Sequence, residues 1–99
     1  MEITKNNIGA TGLLVKPEGR IDINTATEFS QLIEEEIDDL TNLVIDFENI
    51  VYISSIGLRI LLEFQKNMST HGSMKIINVN EEIMNIFKMT GFDKILTIV

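Results

Sequence analysis

"NIVYISSIGLRILL", Asn49 to Leu62, joins an apolar run of strand character to an apolar run of helical spacing, with two adjacent serines, Ser54 and Ser55, at the joint. After the serines, Ile56, Ile60, Leu61, Phe64 and Met68 recur at the spacing of one buried helix face. A strand that runs straight into a helix is the building unit of a sheet covered by helices. This stretch therefore sets the fold class, and the rest of the chain is consistent with it.

Upstream, "NLVIDFENIVYI" has a short apolar core at Leu43 to Ile45, interrupted by Asp46 before Phe47. Its brevity and branched residues predict one buried strand. Before it, Ala26, Phe29, Leu32, Ile33, Ile37 and Leu40 predict a helix of about four turns, with an acidic outer face at Glu28, Glu34, Glu35, Asp38 and Asp39. Thr25 with Glu28 three residues on has the pattern of a capping box, and Asn24 is an equally good cap. The chain begins as a hairpin: Ile3 and Ile8 flank "TKNN", and "GATG" (Gly9 to Gly12) supplies the turn before "LLVKPEG". Pro17 argues against a central strand at that point, and Gly19 offers a bend before "RIDI".

Downstream, the helix after Ser55 stops near "THGS" at Gly72, and "MKIINV" is another short strand. "NEEIMNIFKMTGF" opens with Asn80 as cap and two acids that complement the helix dipole, then stops at Gly91. "KILTIV" closes as a last strand or a tail, and Met68, Met74, Met84 and Met89 sit at core spacing. The expected architecture is α/β: one domain over residues 1–99, an open mixed sheet with helices packed mainly on one face.

Composition narrows the function. The chain has 99 residues, 44% hydrophobic and 23% charged, which suits one ordinary globular core. Eight basic residues against fifteen acidic ones give a net charge of −7, which disfavours nucleic acid and an anionic membrane surface as partners. It suits a partner with a basic docking face, or simply keeps a small protein in solution. The absence of cysteine excludes disulfides and thiolate chemistry and fits a reducing cytoplasm. No secretory leader and no run long enough to span a membrane is present, so a soluble cytoplasmic protein is expected.

Three roles compete for the serine pair. A nucleophile needs a positioned base, and the only histidine, His71, lies roughly 20 Å away at the far end of the helix. The strained G-x-S-x-G elbow is absent as well, so hydrolysis is disfavoured. Carboxylates at Glu34 to Glu36, Asp38 and Asp39 point in several directions and have no His or Cys to complete a metal site. Gly9 and Gly12 lack the lysine and the strand-to-helix setting of a phosphate cradle. No cofactor is implied. A helix cap is physically sound at Ser55, but a cap needs one hydroxyl and two are present. The third role is acceptor of a charged modification. A helix start favours an anion, and a phosphate there adds about −1.5 to −2 charges without refolding. Gly57 would leave room for such a group. Arg59 is either a solvent-facing residue or the i,i+4 partner of a phosphate on Ser55.

Three segments carry a family resemblance. "GRIDINTATEF" (Gly19 to Phe29), "LVIDFENIVYISSIGLRILL" (Leu43 to Leu62) and "INVNEEIMNIFKMTGFDKIL" (Ile77 to Leu96) resemble, in order, the signature segments of STAS domains. These are small modules of bacterial anti-sigma factor antagonists, also found at the end of sulphate transporters. The resemblance implies a STAS-like fold and a protein that is not itself an enzyme. It implies binding to an anti-sigma factor that is also a serine kinase, which frees the sigma factor. That kinase then modifies a hydroxyl at the helix start, and a metal-dependent serine phosphatase resets it. Matched residue by residue, Ser55 is the acceptor and Ser54 its alternate, while Asp22, Asn24, Ser54, Ile56, Gly57 and Arg59 are the partner-contacting positions. The sporulation-type members have Asp-Ser-Ser directly before Gly-Leu. Here Ser54 replaces the Asp and Ile56 the second hydroxyl, so Ser55 matches the first serine of that pair. The alternatives are a STAS adaptor subunit of a transporter or stress-sensing complex that is never phosphorylated, and a sensor of nucleotides or other small ligands.

Overall fold

A hairpin joins β1 (Ile3–Ile8) to β2 (Gly12–Ile21), and β2 then organises the whole sheet in a computed structural model that describes residues 1–99. The first half of β2 pairs in parallel with β3 (Asn42–Asp46), and its second half pairs in parallel with β4 (Asn49–Ile53). The far side of β3 pairs in parallel with β5 (Ser73–Ile77), which gives five strands in the order β1-β2-β3-β5 with β4 attached to β2. The mixed α/β sheet expected from the sequence is present.

Side-chain alternation explains why the helices gather on one face. Leu13, Leu43 and Met74 lie in one row across β2, β3 and β5, and Val15, Ile45 and Ile76 in the next; all six are buried. Leu14, Val44 and Lys75 form the intervening row on the opposite face, where Lys75 is exposed. Against the apolar rows pack α1 (Ala26–Glu34) and α2 (Ser55–Met68), with Phe29 and Phe64 meeting edge to face at 6.2 Å. The third helix, α3 (Glu81–Thr90), adds Ile83 and Phe87, and Phe87 rests against Phe47 at 6.2 Å.

Four expectations need correction. Pro17 lies within the central strand: it occupies the gap where β2 leaves β3 after Val15 and meets β4 at Glu18, so no ladder bond is lost. Gly19, at φ +94°, supplies the expected bend as a bulge within the strand, and Val51 is the extra residue opposite it. The segment Leu43 to Ile53 is two strands, because the Asp46 carboxylate accepts from Glu48 N (2.9 Å) and Asn78 Nδ2 (3.1 Å) and steps the chain sideways. The four-turn helix is shorter: α1 ends at Glu34, and Ile37 reaches the core from a 3-10 turn at Ile37–Asp39. Consecutive glutamates with no basic residue in the last turn oppose the helix dipole there. Finally, Met89 is exposed rather than core. Of the two readings of "KILTIV", the tail holds: it continues from a 3-10 turn at Phe92–Lys94 and adds one bridge from Ile98 to Ile76.

Two lysines tie the sheet's solvent side to the loops. Lys5 bonds Glu36 and Lys16 bonds Glu48, each at 2.7 Å, and these hydrogen bonds hold both lysine pKa values above their ordinary 10.5.

Candidate functional site

The carboxyl ends of two parallel strands meet at one edge of the sheet. Ile21 of β2 is in register with Ile53 of β4, and Ser54 N donates to Ile21 O at 2.9 Å. Two turns therefore leave the sheet side by side: Asp22–Thr25 into α1, and Ser54 into α2. Such a junction is where open α/β sheets place their sites.

The first turn is held by its own side chains. Asp22 Oδ1 accepts from Asn24 N (2.9 Å), and Asp22 O accepts from Thr25 N and Ala26 N. Thr25 is the N-cap of α1, but its hydroxyl donates to Arg20 O (2.6 Å) and accepts from Asp22 N (3.0 Å) instead of capping. Glu28 faces the Met1 amino group at 3.1 Å, so the capping box expected of Thr25 and Glu28 is not formed. One effect is to push Ile23 outward, where it is 77% exposed. Asn24 beside it is exposed, whereas Asp22 is half-buried and already occupied by its own loop and by Arg20 Nε at 3.5 Å.

The second turn differs from the sequence reading in one respect. The N-cap of α2 is Ser54, not Ser55, and it makes no side-chain cap bond. Its hydroxyl is buried without a hydrogen-bond partner. Ser55, the first helical residue, is exposed. Of the two serines expected to offer a hydroxyl, Ser54 holds its own buried while Ser55 is exposed. The first intrahelical bond runs from Leu58 N to Ser54 O, so the amides of Ser55, Ile56 and Gly57 precede it and lack an intrahelical acceptor.

Gly57 does not serve as open space for a modified serine. It is buried, and a Cβ there would lie 2.6 Å from Ile53 Cγ1 and 2.9 Å from Ile21 Cγ2. Its role is to let the helix start press onto the ends of both strands. Ile56 and Arg59 remain on the outer side, and both border a groove between α1 and α2 with Thr27, Ser30, Glu34 and Ile60.

Sequence reasoning missed Arg20, Ile23, Val51 and Tyr52. The Arg20 guanidinium lies 4.3 Å from the centre of the Tyr52 ring, a cation–π contact across the β2–β4 register. Ile23, Tyr52 and Ile56, which adjoin the two turns in sequence, are exposed, and Val51, itself 59% exposed, borders the start of α3 with Asn80, Glu81 and Glu82. Their signal was indirect: the bulge that turns Val51 and Tyr52 outward depends on pairing with a strand thirty residues earlier. His71 lies beyond the opposite end of α2, bonded through Nε2 to Ile37 O at 2.9 Å. No three His, Asp or Glu residues are grouped to hold a metal ion.

A family model described as the STAS domain matches residues 2–99. The chain belongs to the STAS family. Among solved STAS-fold structures it is similar to an anti-sigma factor antagonist from Mycobacterium paratuberculosis, at TM-score 0.88 and 22% identity, covering 98% of this chain and 83% of that one. It is also similar to the anti-sigma factor antagonist SpoIIAA in its unphosphorylated form, at TM-score 0.83 and 14% identity, covering 99% and 88% of the two chains. The phosphorylated form of SpoIIAA, a Bacillus cell fate determinant, superposes at TM-score 0.76 and 14% identity, covering 99% and 91%. At these identities the likeness defines the STAS fold, and no helix of the chain is long and apolar enough to cross a membrane.

Proposed function

We propose that this STAS domain is a bacterial anti-sigma factor antagonist. It binds an anti-sigma factor serine kinase in the cytoplasm and is released when Ser55 is phosphorylated. The carrying observation is the exposed Ser55 at a helix start that no side chain caps, with the exposed Ile23, Tyr52 and Ile56 lying within three residues of one or other of the two turns. Exposed apolar residues give a partner something to bury, and charge added at an exposed serine of the same turns would oppose that burial. Between Arg20 and Arg59 the chain carries nine carboxylates and no basic side chain, so a partner with a basic face is favoured.

The antagonist catalyses nothing in this scheme. Ser55 Oγ attacks the γ-phosphorus of the kinase's ATP, the bond from that phosphorus to the β–γ bridging oxygen breaks, ADP leaves, and the hydroxyl proton passes to a base on the kinase. A metal-dependent phosphatase resets the switch by directing water onto the same phosphorus and returning the hydroxyl and inorganic phosphate. Sigma-factor-dependent transcription follows the state of Ser55.

Incubation with the cognate kinase and ATP, followed by mass spectrometry, is expected to place phosphate on Ser55. Ser55→Ala is expected to retain kinase binding by calorimetry, and Ser55→Asp to weaken it by about tenfold or more. Equal affinities of the two variants would remove the charge switch. Tight binding without modification would leave a STAS adaptor.

A further inference from the structure

Burial along α2 sorts its first two turns into two sides. Gly57, Leu58 and Leu61 are buried, while Ser55, Ile56 and Arg59 are exposed. Ser55 and Arg59 are four residues apart, a rise of about 6 Å, and so are neighbours on the outer surface.

Arg59 is also uncommitted. Glu34 lies across the α1–α2 groove and Glu63 one turn further along α2, yet neither forms an ion pair with Arg59. The Glu34 carboxylate is instead taken by the Ser30 hydroxyl at 2.7 Å. The nearest cation in sequence on the other turn, Arg20, is occupied by Asp22 and by the Tyr52 ring. Lys5 and Lys16 are paired elsewhere on the sheet. A guanidinium with a free planar fork, one turn from an exposed hydroxyl, matches the geometry of a phosphate monoester.

We propose that Arg59 is a positioning residue that clamps the phosphate on Ser55 and turns it toward the α1–α2 groove. The inference rests on the reading of Ser55 as the acceptor. In the unmodified protein Arg59 lines the groove beside Glu34, Ile56 and Ile60. In the modified protein it moves to the phosphate, which fixes the new group in one orientation and leaves Glu34 without a nearby cation. The switch thus changes the shape and charge of the groove as well as the charge at the serine.

The test needs no kinase. Phosphoserine is installed at position 55 during synthesis in the wild type, in Arg59→Gln and in Arg59→Lys, and the phosphorus NMR signal is titrated. Glu34 across the groove, Glu63 one turn along α2, and the Arg20–Asp22 pair of the neighbouring turn are all unchanged in the variants. Arg59→Gln is expected to raise the midpoint of the second phosphate ionisation by about 0.3 unit at low salt, with Arg59→Lys in between. The difference is expected to vanish at about 1 M salt, where screening acts within about 3 Å. Identical midpoints in all three proteins would overturn the clamp. Failure of a kinase to modify Ser55 would overturn the proposed function instead, and would leave this titration unchanged.

Discussion

The helices α2 and α3 both begin where a parallel strand ends, and they are finished in opposite ways. At α3 the cap Asn80 accepts from Ile83 N at 2.9 Å and donates to Ile50 O at 3.0 Å, two acids follow in the first turn, and the third residue, Ile83, is fully buried. At α2 the cap Ser54 makes no such bond, no acid follows, and the third residue is Gly57. One start has a side-chain cap for an amide and two acids to offset the helix dipole. The other leaves its amides open and its dipole uncompensated, and it stays folded because Gly57 lets it press directly onto Ile21 and Ile53. Stability at α2 comes from packing beneath the helix, which leaves the solvent side free to accept an anion.

The largest expected effects follow from the two third positions, which call for opposite errors. Ile83→Ala empties a packed site and is expected to cost about 2–5 kcal/mol in urea unfolding. Gly57→Ala overfills one. Its Cβ would meet branched side chains of two strands, so a loss of about 1–3 kcal/mol is expected even though alanine favours a helix by about 1 kcal/mol. A stabilised Gly57→Ala protein would show slack beneath α2 and end the contrast.

Next come the caps. Asn80→Ala is expected to cost about 1–2 kcal/mol, since it strands Ile83 N and frees Ile50 O. Ser54→Ala removes a buried hydroxyl that has no partner, so it is expected to change stability by less than about 0.5 kcal/mol or to raise it. Equal losses in thermal or urea unfolding would mean that both helices are capped alike.

The two starts were unequally legible in the sequence. Asn80 followed by two glutamates is a local signal, and α3 begins where that signal puts it. The strand-to-helix joint at the serines was equally local, and so were the helical spacing of α2 and the hairpin of β1 and β2. Non-local facts stayed hidden. Whether Ser54 or Ser55 is the cap depends on Ser54 N reaching Ile21 O, and the burial of Gly57 depends on the side chains of Ile21 and Ile53. Pro17 misled for the same reason: its tolerance comes from a change of partner strand that local periodicity does not record. The exposed surface of Ile23, Val51 and Tyr52 is set by the Asp22 turn and by the bulge opposite Gly19, both products of tertiary pairing.

The smallest effects test charge alone. If α2 begins with an uncompensated dipole, a carboxylate at its first position should supply what Glu81 supplies at the first position of α3. Ser55→Asp is expected to stabilise the fold by about 0.3–1 kcal/mol at low salt, and Glu81→Gln to destabilise it by a similar amount. Both effects should fade in about 1 M salt because the sites are exposed and screened. A destabilising Ser55→Asp, measured by urea unfolding at low salt, would show that the α2 amides do not welcome an anion. A stabilising one gives the binding experiment its control. Under the proposed function, the same substitution would then make the protein more stable and less able to hold a kinase, so weakened binding could not be ascribed to unfolding, and repulsion at the docked surface would remain as its cause.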